Sequence, residues 1–296
     1  MSAPRSGFVT FVGRPNVGKS TLMNALVGTK IAITSPKPQT TRRAIRGIVQ
    51  RPGGQLVVVD TPGLHRPRTL LGERLNDVVA ATLADVDVVG FCVPADEPIG
   101  PGDRYINAQL DRYPRAARIA IVTKIDGLAH DRVAAQLLAV SALREWDTIV
   151  PVSALEATQL DVLADEALAR CPEGPPLYPV DAITDESLEQ RIAELVREAA
   201  LEGAREELPH SLAVTIDEIE DDADADLTRI HASVWVERDS QRIIMIGRKG
   251  ARLREVGTAA RAQIEPLVGT RVFLALHIKV AKEWQRDPKA LGRLGF

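Results

Sequence analysis

An α/β domain on a mostly parallel sheet, followed by a smaller α+β domain, is the architecture this chain predicts. Three observations carry that expectation. Gly13-Arg14-Pro15-Asn16-Val17-Gly18-Lys19-Ser20 fills every position of the G-x-x-x-x-G-K-[ST] phosphate loop, between an apolar run at Phe8–Val12 and a helical pattern at Thr21–Leu26. Two later apolar runs end in acid-bearing motifs, Asp60-Thr61-Pro62-Gly63 and Thr123-Lys124-Ile125-Asp126. Residues 227–296 hold 14 Lys and Arg against 6 Asp and Glu, a net of +8, whereas residues 1–226 hold 23 against 34, a net of −11. Such a split within one chain points to a C-terminal part that meets a polyanion.

Composition bounds the rest. At 296 residues the chain has room for two domains, and a hydrophobic fraction of 45% fills real cores. The two cysteines, Cys92 and Cys171, have no metal-ligand spacing and read as reduced structural thiols. No stretch of about 20 apolar residues is present, and the N-terminus lacks a basic-then-apolar leader, so a cytoplasmic protein is expected. Nothing resembles a heptad seam, so a monomer is the default.

In order along the chain, the phosphate loop comes first. Its glycines let backbone N–H groups turn toward an anion, and the following helix adds its N-terminal partial charge. Lys19 is expected to reach the β and γ phosphates, and the Ser20 hydroxyl to ligate Mg²⁺. The polar, proline-punctuated segment Ser35–Arg42 has the character of a loop that orders around γ-phosphate and metal. One of its threonines supplies a second hydroxyl to Mg²⁺, with Thr41 preferred and Thr40 the alternative. Leu56–Val59 is a buried-strand run that places Asp60 at the strand's C-terminal end, where ligands bind in parallel α/β sheets. Asp60 is read as a Mg²⁺ ligand acting through water, and the Gly63 N–H as the γ-phosphate sensor. Lys19, Thr41 and Gly63 form the expected catalytic set.

The strand Ala117–Val122 ends in the next motif. The Asp126 carboxylate can accept two hydrogen bonds from the guanine N1–H and N2 amine, which adenine cannot supply, and the Lys124 stem is expected over the base. Ile149–Val152 then leads to Ser153-Ala154-Leu155, where a backbone N–H can meet guanine O6. GTP and GDP are therefore the expected nucleotides, held by residues 13–21, 60–63, 123, 124, 126 and 153–155.

Beyond Cys171-Pro172-Glu173-Gly174-Pro175-Pro176, residues 171–186 read as a linker. Helical spacing resumes at Ser187 with Leu188, Ile192, Leu195, Val196 and Ala199. Leu212–Ile216 and Arg229–Val236 read as strands around an acid-rich turn, Asp217 through Asp226. Ile243–Ile246 then leads to Gly247-Arg248-Lys249-Gly250, a helix at Ala251–Glu265 and a strand at Arg271–Ile278. Two glycines allow close approach of a phosphodiester backbone, and Arg248 and Lys249 supply charge. Ile244 and Ile246 line the groove or form the core beneath it.

These motifs together, GRPNVGKS, PQTTR, DTPGL, TKID and SAL, resemble the translation-factor-related class of small GTPases and in particular the bacterial Era family. Helix–strand–strand–helix–GxxG–helix–strand resembles a type II KH domain. A KH domain behind such a P-loop GTPase domain is the Era arrangement. The resemblance covers nearly the whole chain, with residues 1–170 as the GTP-binding domain and 187–296 as the KH domain and tail. It implies a slow, Mg²⁺-dependent GTPase that binds 16S ribosomal RNA near its 3′ end through Ile244, Gly247, Arg248, Lys249 and Gly250 and assists maturation of the 30S subunit. It also implies loose peripheral association with the inner face of the cell membrane. Asn16 stands where similar GTPases hold K⁺, which makes K⁺ a further expected cofactor; the alternative is that Asn16 only shapes the loop.

Two positions depart from the pattern. Threonine occupies position 123, where the family's asparagine braces the base pocket, so one hydroxyl must replace part of that network. Leu64 stands where Ras-like enzymes carry a water-orienting glutamine, and neighbouring His65 reads as a solvent-facing loop residue. Two rival readings stay open on sequence: an RNA-modifying GTPase with a catalytic partner, and an RNA-binding protein with a vestigial nucleotide site.

Overall fold

The computed structural model describes residues 3–35, 40–63, 69–203, 208–222 and 225–296, with the side chains of 209 and 210 excepted. The chain divides into two compact units, Met1–Arg66 with Arg74–Asp185, and Pro67–Glu73 with Glu186–Phe296.

The first unit is a six-stranded sheet. Its strands are β1 (Arg5–Val12), β2 (Ile45–Arg51), β3 (Gly54–Asp60), β4 (Val88–Pro94), β5 (Ala117–Thr123) and β6 (Thr148–Pro151), in the order β2-β3-β1-β4-β5-β6. Only β2 runs antiparallel to its neighbour β3. The apolar runs are nearly continuous because both faces are covered, as parallel sheets require. One face packs α1 (Lys19–Val27) and α5 (Leu160–Leu168) around Val9, Phe11, Leu22, Met23 and Ile121. The other packs α2 (Leu70–Asp85), α3 (Pro101–Gln109) and α4 (His130–Ser141) around Val12, Leu83, Phe91, Ile106 and Val140. After β1 the chain builds outward on one side through β2 and β3, then crosses to β4 on the other. The C-terminal end of β1 is thus the topological switch point, where open α/β sheets bind ligands.

Residues 172–185 run back along this sheet. The Ile48 N–H donates to Ile183 O at 2.9 Å, and Gly47 bridges to Thr184. The fully buried Gln55 side chain accepts from the Leu177 and Tyr178 N–H groups and donates to Tyr178 O. The stretch read as a linker therefore shields the β2 edge, which would otherwise offer unpaired backbone groups.

The second unit holds α6 (Leu188–Leu201), α7 (Leu208–Ser211), β7 (Ala213–Asp222), β8 (Leu227–Val236), α8 (Asp239–Ile246), α9 (Ala251–Val268), β9 (Arg271–Val280) and α10 (Pro288–Arg293). Its sheet is β7-β8-β9, with β7 antiparallel and β9 parallel to β8. The acid-rich run differs from the sequence expectation: Asp217 through Asp222 lies in β7, not in a turn. Cross-strand partners explain it. Asp217 accepts from Ser233 and pairs with Lys279, Asp221 accepts from Thr228, and Asp222 pairs with Arg229. A bulge between Ile216 and Glu218 absorbs the register shift.

Candidate functional site

The phosphate-loop segment joins β1 to α1, and Gly18 caps the helix in the left-handed region at φ 98°. Lys19 is buried and donates its ammonium to the carbonyls of Gly13 (3.1 Å) and Arg14 (2.9 Å). Ser20 Oγ donates to Asp60 Oδ2 at 2.6 Å, Thr41 Oγ1 donates to the same oxygen at 2.9 Å, and the two hydroxyls lie 3.3 Å apart. Three residues from three different segments thus converge on one point. Thr40 lies apart from it, its hydroxyl 3.5 Å from Ser35 O. Among the described residues, the second Asp60 oxygen is buried with no hydrogen-bond partner. Burial pushes the Asp60 carboxyl above its ordinary range, against the opposing pull of Ser20, Lys19 and Thr41. Burial likewise lowers the Lys19 ammonium, with Asp60 acting in the other direction. An orphaned carboxylate oxygen beside two hydroxyls is the donor set a hard, oxygen-seeking cation takes.

The remaining loop residues surround this centre. The Arg14 guanidinium turns away, onto Asp103 and Glu97. Asn16 adopts φ 65°, Val17 is buried, and Thr21 lies in the first turn of α1. Thr61 and Pro62 are buried beyond Asp60, and a Cβ on Gly63 would lie 4.0 Å from the Pro15 ring.

At the end of β5, the buried Thr123 hydroxyl donates to Val17 O at 2.7 Å, so threonine ties the base motif to the phosphate loop. Asp126 accepts from Ser153 Oγ at 2.8 Å, and Lys124 sits at φ 56° with its ammonium 4.0 Å from Asp96. The Ser153 N–H is taken by Thr158 O, and Leu155 is exposed. Sequence reasoning passed over Asp96, Glu97 and Asp103. Their one local sign is the helix start Gly100-Pro101-Gly102-Asp103, which marks a cap and gives no hint of a partner 89 residues away.

In the second unit, Gly247 takes φ 69° and ψ 177°, a region reserved for glycine, and a Cβ there would meet the Arg252 backbone N at 2.9 Å. Lys249 (φ 52°) and Gly250 (φ 77°) complete the turn into α9, with Arg248 and Lys249 exposed. Ile244 is 58% exposed beside Ile243, whereas Met245 packs inward and Ile246 is half-buried. The groove reading therefore fits Ile244, while Ile246 sits between the two roles left open by the sequence.

Comparison with known proteins follows the same division. Residues 8–124 match a family model described as a 50S ribosome-binding GTPase, and residues 207–285 match the KH domain. Over its full length the chain is 64% identical to the GTPase Era of Mycobacterium sp. (strain KMS), with both chains covered completely. The chain belongs to the Era family of GTPases. The Era protein of Leifsonia xyli is 66% identical over 297 residues. Among solved structures, an Aquifex aeolicus Era variant bound to GDP·AlF4⁻ shares 37% identity at a TM-score of 0.93, covering 98% of this chain and 99% of its own. An Era complex with MgGDPNP and nucleotides 1506–1542 of 16S ribosomal RNA also shares 37% identity, at a TM-score of 0.94 and 99% coverage of both chains. The α/β P-loop GTPase domain and the KH domain expected from the sequence are the Era architecture.

Of the residues singled out in the sequence, Pro36–Gln39, Leu64 and His65 lie outside the described residues. Among the described residues, no helix is long and apolar enough to cross a membrane.

Proposed function

We propose that this chain is a GTP-hydrolysing switch that binds the 3′ end of 16S ribosomal RNA and assists maturation of the 30S subunit. The convergence of Ser20, Thr41 and Asp60 beside Lys19 supports the nucleotide half of this reading. In that reading residues 13–21 wrap the phosphates with backbone N–H groups, and Lys19 leaves the Gly13 and Arg14 carbonyls for the β and γ oxygens. Ser20, Thr41 and Asp60 would hold Mg²⁺, which supplies charge neutralisation at the phosphates. Asp126 accepts from the guanine edge, Lys124 covers the base, and the Ala154 N–H meets O6, since Ser153 N–H already has a partner. Leu64 can neither donate nor accept a hydrogen bond, so turnover rests on positioning and is slow, on the order of 10⁻⁴ to 10⁻² s⁻¹. K⁺ beside Asn16 is the additional cation we assign to the active state.

The RNA half rests on the exposed Arg248 and Lys249 in a glycine-bounded turn, the net charge of +8 over residues 227–296, and the relative crystallised with a 16S fragment. We assign residues 1–170 to the switch, 171–186 to the connection and 187–296 to RNA. A monomer in the cytoplasm, with loose contact to the inner membrane face, completes the proposal.

One assay tests both halves: GTP hydrolysis with Mg²⁺, in KCl and in NaCl, with a 16S 3′-terminal oligonucleotide or a large-subunit control. Stimulation by the 16S oligonucleotide alone is expected. Lys19→Ala should abolish nucleotide binding, and Arg248→Glu with Lys249→Glu should abolish the RNA effect without backbone strain. Retained GTP binding in the first variant, or retained RNA stimulation in the second, overturns the corresponding assignment.

A further inference from the structure

Arg14 lies inside the phosphate loop, yet its guanidinium pairs with carboxylates elsewhere. Nε donates to Asp103 Oδ1 at 2.7 Å and a terminal nitrogen donates to Glu97 Oε2 at 3.1 Å. Asp103 is completely buried, and its other oxygen accepts the Gly100 N–H that opens α3. A carboxylate removed from water in this way needs a fixed cation and fixed donors, and it has both. The Arg14 stem rests on the first turn of α3 so closely that a Cβ on Gly102 would stand 2.9 Å from its Cδ. The same Arg14 offers its backbone carbonyl to Lys19.

The other end of the contact reaches the base motif. Glu97 follows Asp96, which faces Lys124, and the loop carrying both is pinned on two sides. Ala95 N–H donates to Thr123 O, and Gln136 donates to the carbonyls of Pro94 and Glu97.

We infer that Arg14 is a positioning residue whose guanidinium, locked on Asp103 and Glu97, fixes the phosphate loop against α3 and joins it through residues 94–97 to Lys124. The inference rests on the nucleotide site proposed above and adds to it a brace that sets how tightly any guanine nucleotide is held. Because the brace does not touch the γ-phosphate position through its guanidinium, its loss acts on GDP and triphosphate alike. An arginine that instead reached the reacting phosphate would act on hydrolysis and leave GDP untouched.

The experiment measures release of fluorescent GDP and GDPNP, together with single-turnover hydrolysis of bound GTP, in Arg14→Gln, Asp103→Asn, Glu97→Gln and the Arg14→Gln/Asp103→Asn double variant. Each of the first two should release both nucleotides about tenfold faster, the double no worse than either single, and Asp103→Asn, outside the loop, should hydrolyse bound GTP within about twofold of wild type. Glu97→Gln, at the surface, should shift release in the same direction by less and cannot be dismissed as a folding defect. Unchanged release overturns the inference, and so does slowed hydrolysis with normal GDP release, or multiplied effects in the double variant. A wild-type protein that binds no guanine nucleotide would instead overturn the site itself.

Discussion

Thr123 holds the base motif to the phosphate loop through one hydroxyl, 2.7 Å from the Val17 carbonyl. Thr123→Val keeps the volume and strands that carbonyl, so it should cost about 1–3 kcal/mol of stability in denaturant unfolding and weaken GDP binding. Asp126→Asn should exchange an acceptor pair for a donor and an acceptor, lowering GDP affinity and raising that for xanthosine diphosphate, as competition binding would show. Asp60 gives a pH dependence. Its carboxyl is raised by burial, so between the unfolded and folded pKa values the native chain holds a proton that the unfolded chain has lost. Stability from this group therefore falls as pH rises from about 3.9, the ordinary Asp value, through the folded pKa. In EDTA, Asp60→Asn should remove that decline from a plot of unfolding midpoint against pH, and it should also abolish Mg²⁺-dependent tightening of GDP. Residues with motif spacing, such as Lys19, Ser20, Asp60 and Asp126, were legible because their chemistry dictates neighbours in sequence. The loop's polar character offered both Thr41 and Thr40, and it is the fold that puts the Thr41 hydroxyl on Asp60, whereas Asp103 and Glu97 were not legible, since nothing local marks a partner far along the chain.

Among the elements, α6 illustrates what sequence alone can reach. Ser187 accepts from the Gln190 N–H at 3.3 Å while Gln190 accepts from the Ser187 N–H at 3.0 Å, a capping box placed where helical spacing resumes. The strands of the first unit were equally plain, because burial on both faces leaves unbroken apolar runs. The strap over β2 was not. Residues 172–185 are rich in proline and glycine and read as a free connection, but three bonds from Gln55 and a backbone bond from Ile48 hold them down. Gln55→Ala should lose about 1 kcal/mol for each bond and raise hydrogen exchange at the Leu177 and Tyr178 amides, with little change at α6. The length of β7 was missed for a related reason. Acid-rich runs favour solvated turns, and here cross-strand Ser233, Thr228, Arg229 and Lys279 override that preference.

For the whole molecule, the charge division and the two compact units make separate demands. RNA binding through a basic surface releases counterions, so RNA affinity should fall steeply between 50 and 200 mM KCl, with a log–log slope of about −0.7 for each phosphate contacted. Calorimetry should resolve two transitions, one raised by Mg²⁺·GDP and the other by the 16S oligonucleotide. Ligand at about 100 times Kd adds about 2.7 kcal/mol to the unit that binds it. A single transition moved equally by both ligands would show that the units unfold together.

Cys92 is completely buried, its backbone oxygen lies where a Cβ on Gly13 would come within 2.6 Å, and burial pushes its thiol up to about 12. Cys171 is buried as well, with its thiol also raised to about 12. Thiolate is the reactive species, so the native fold should be silent toward maleimides and disulfide reagents at neutral pH, as thiol labelling before and after denaturation would show. A dye can therefore be placed on a new surface cysteine without first removing the natural ones. Conversely, slow modification of Cys92 in the unaltered chain times the rare openings beneath the phosphate loop, and a bound nucleotide should lengthen that clock.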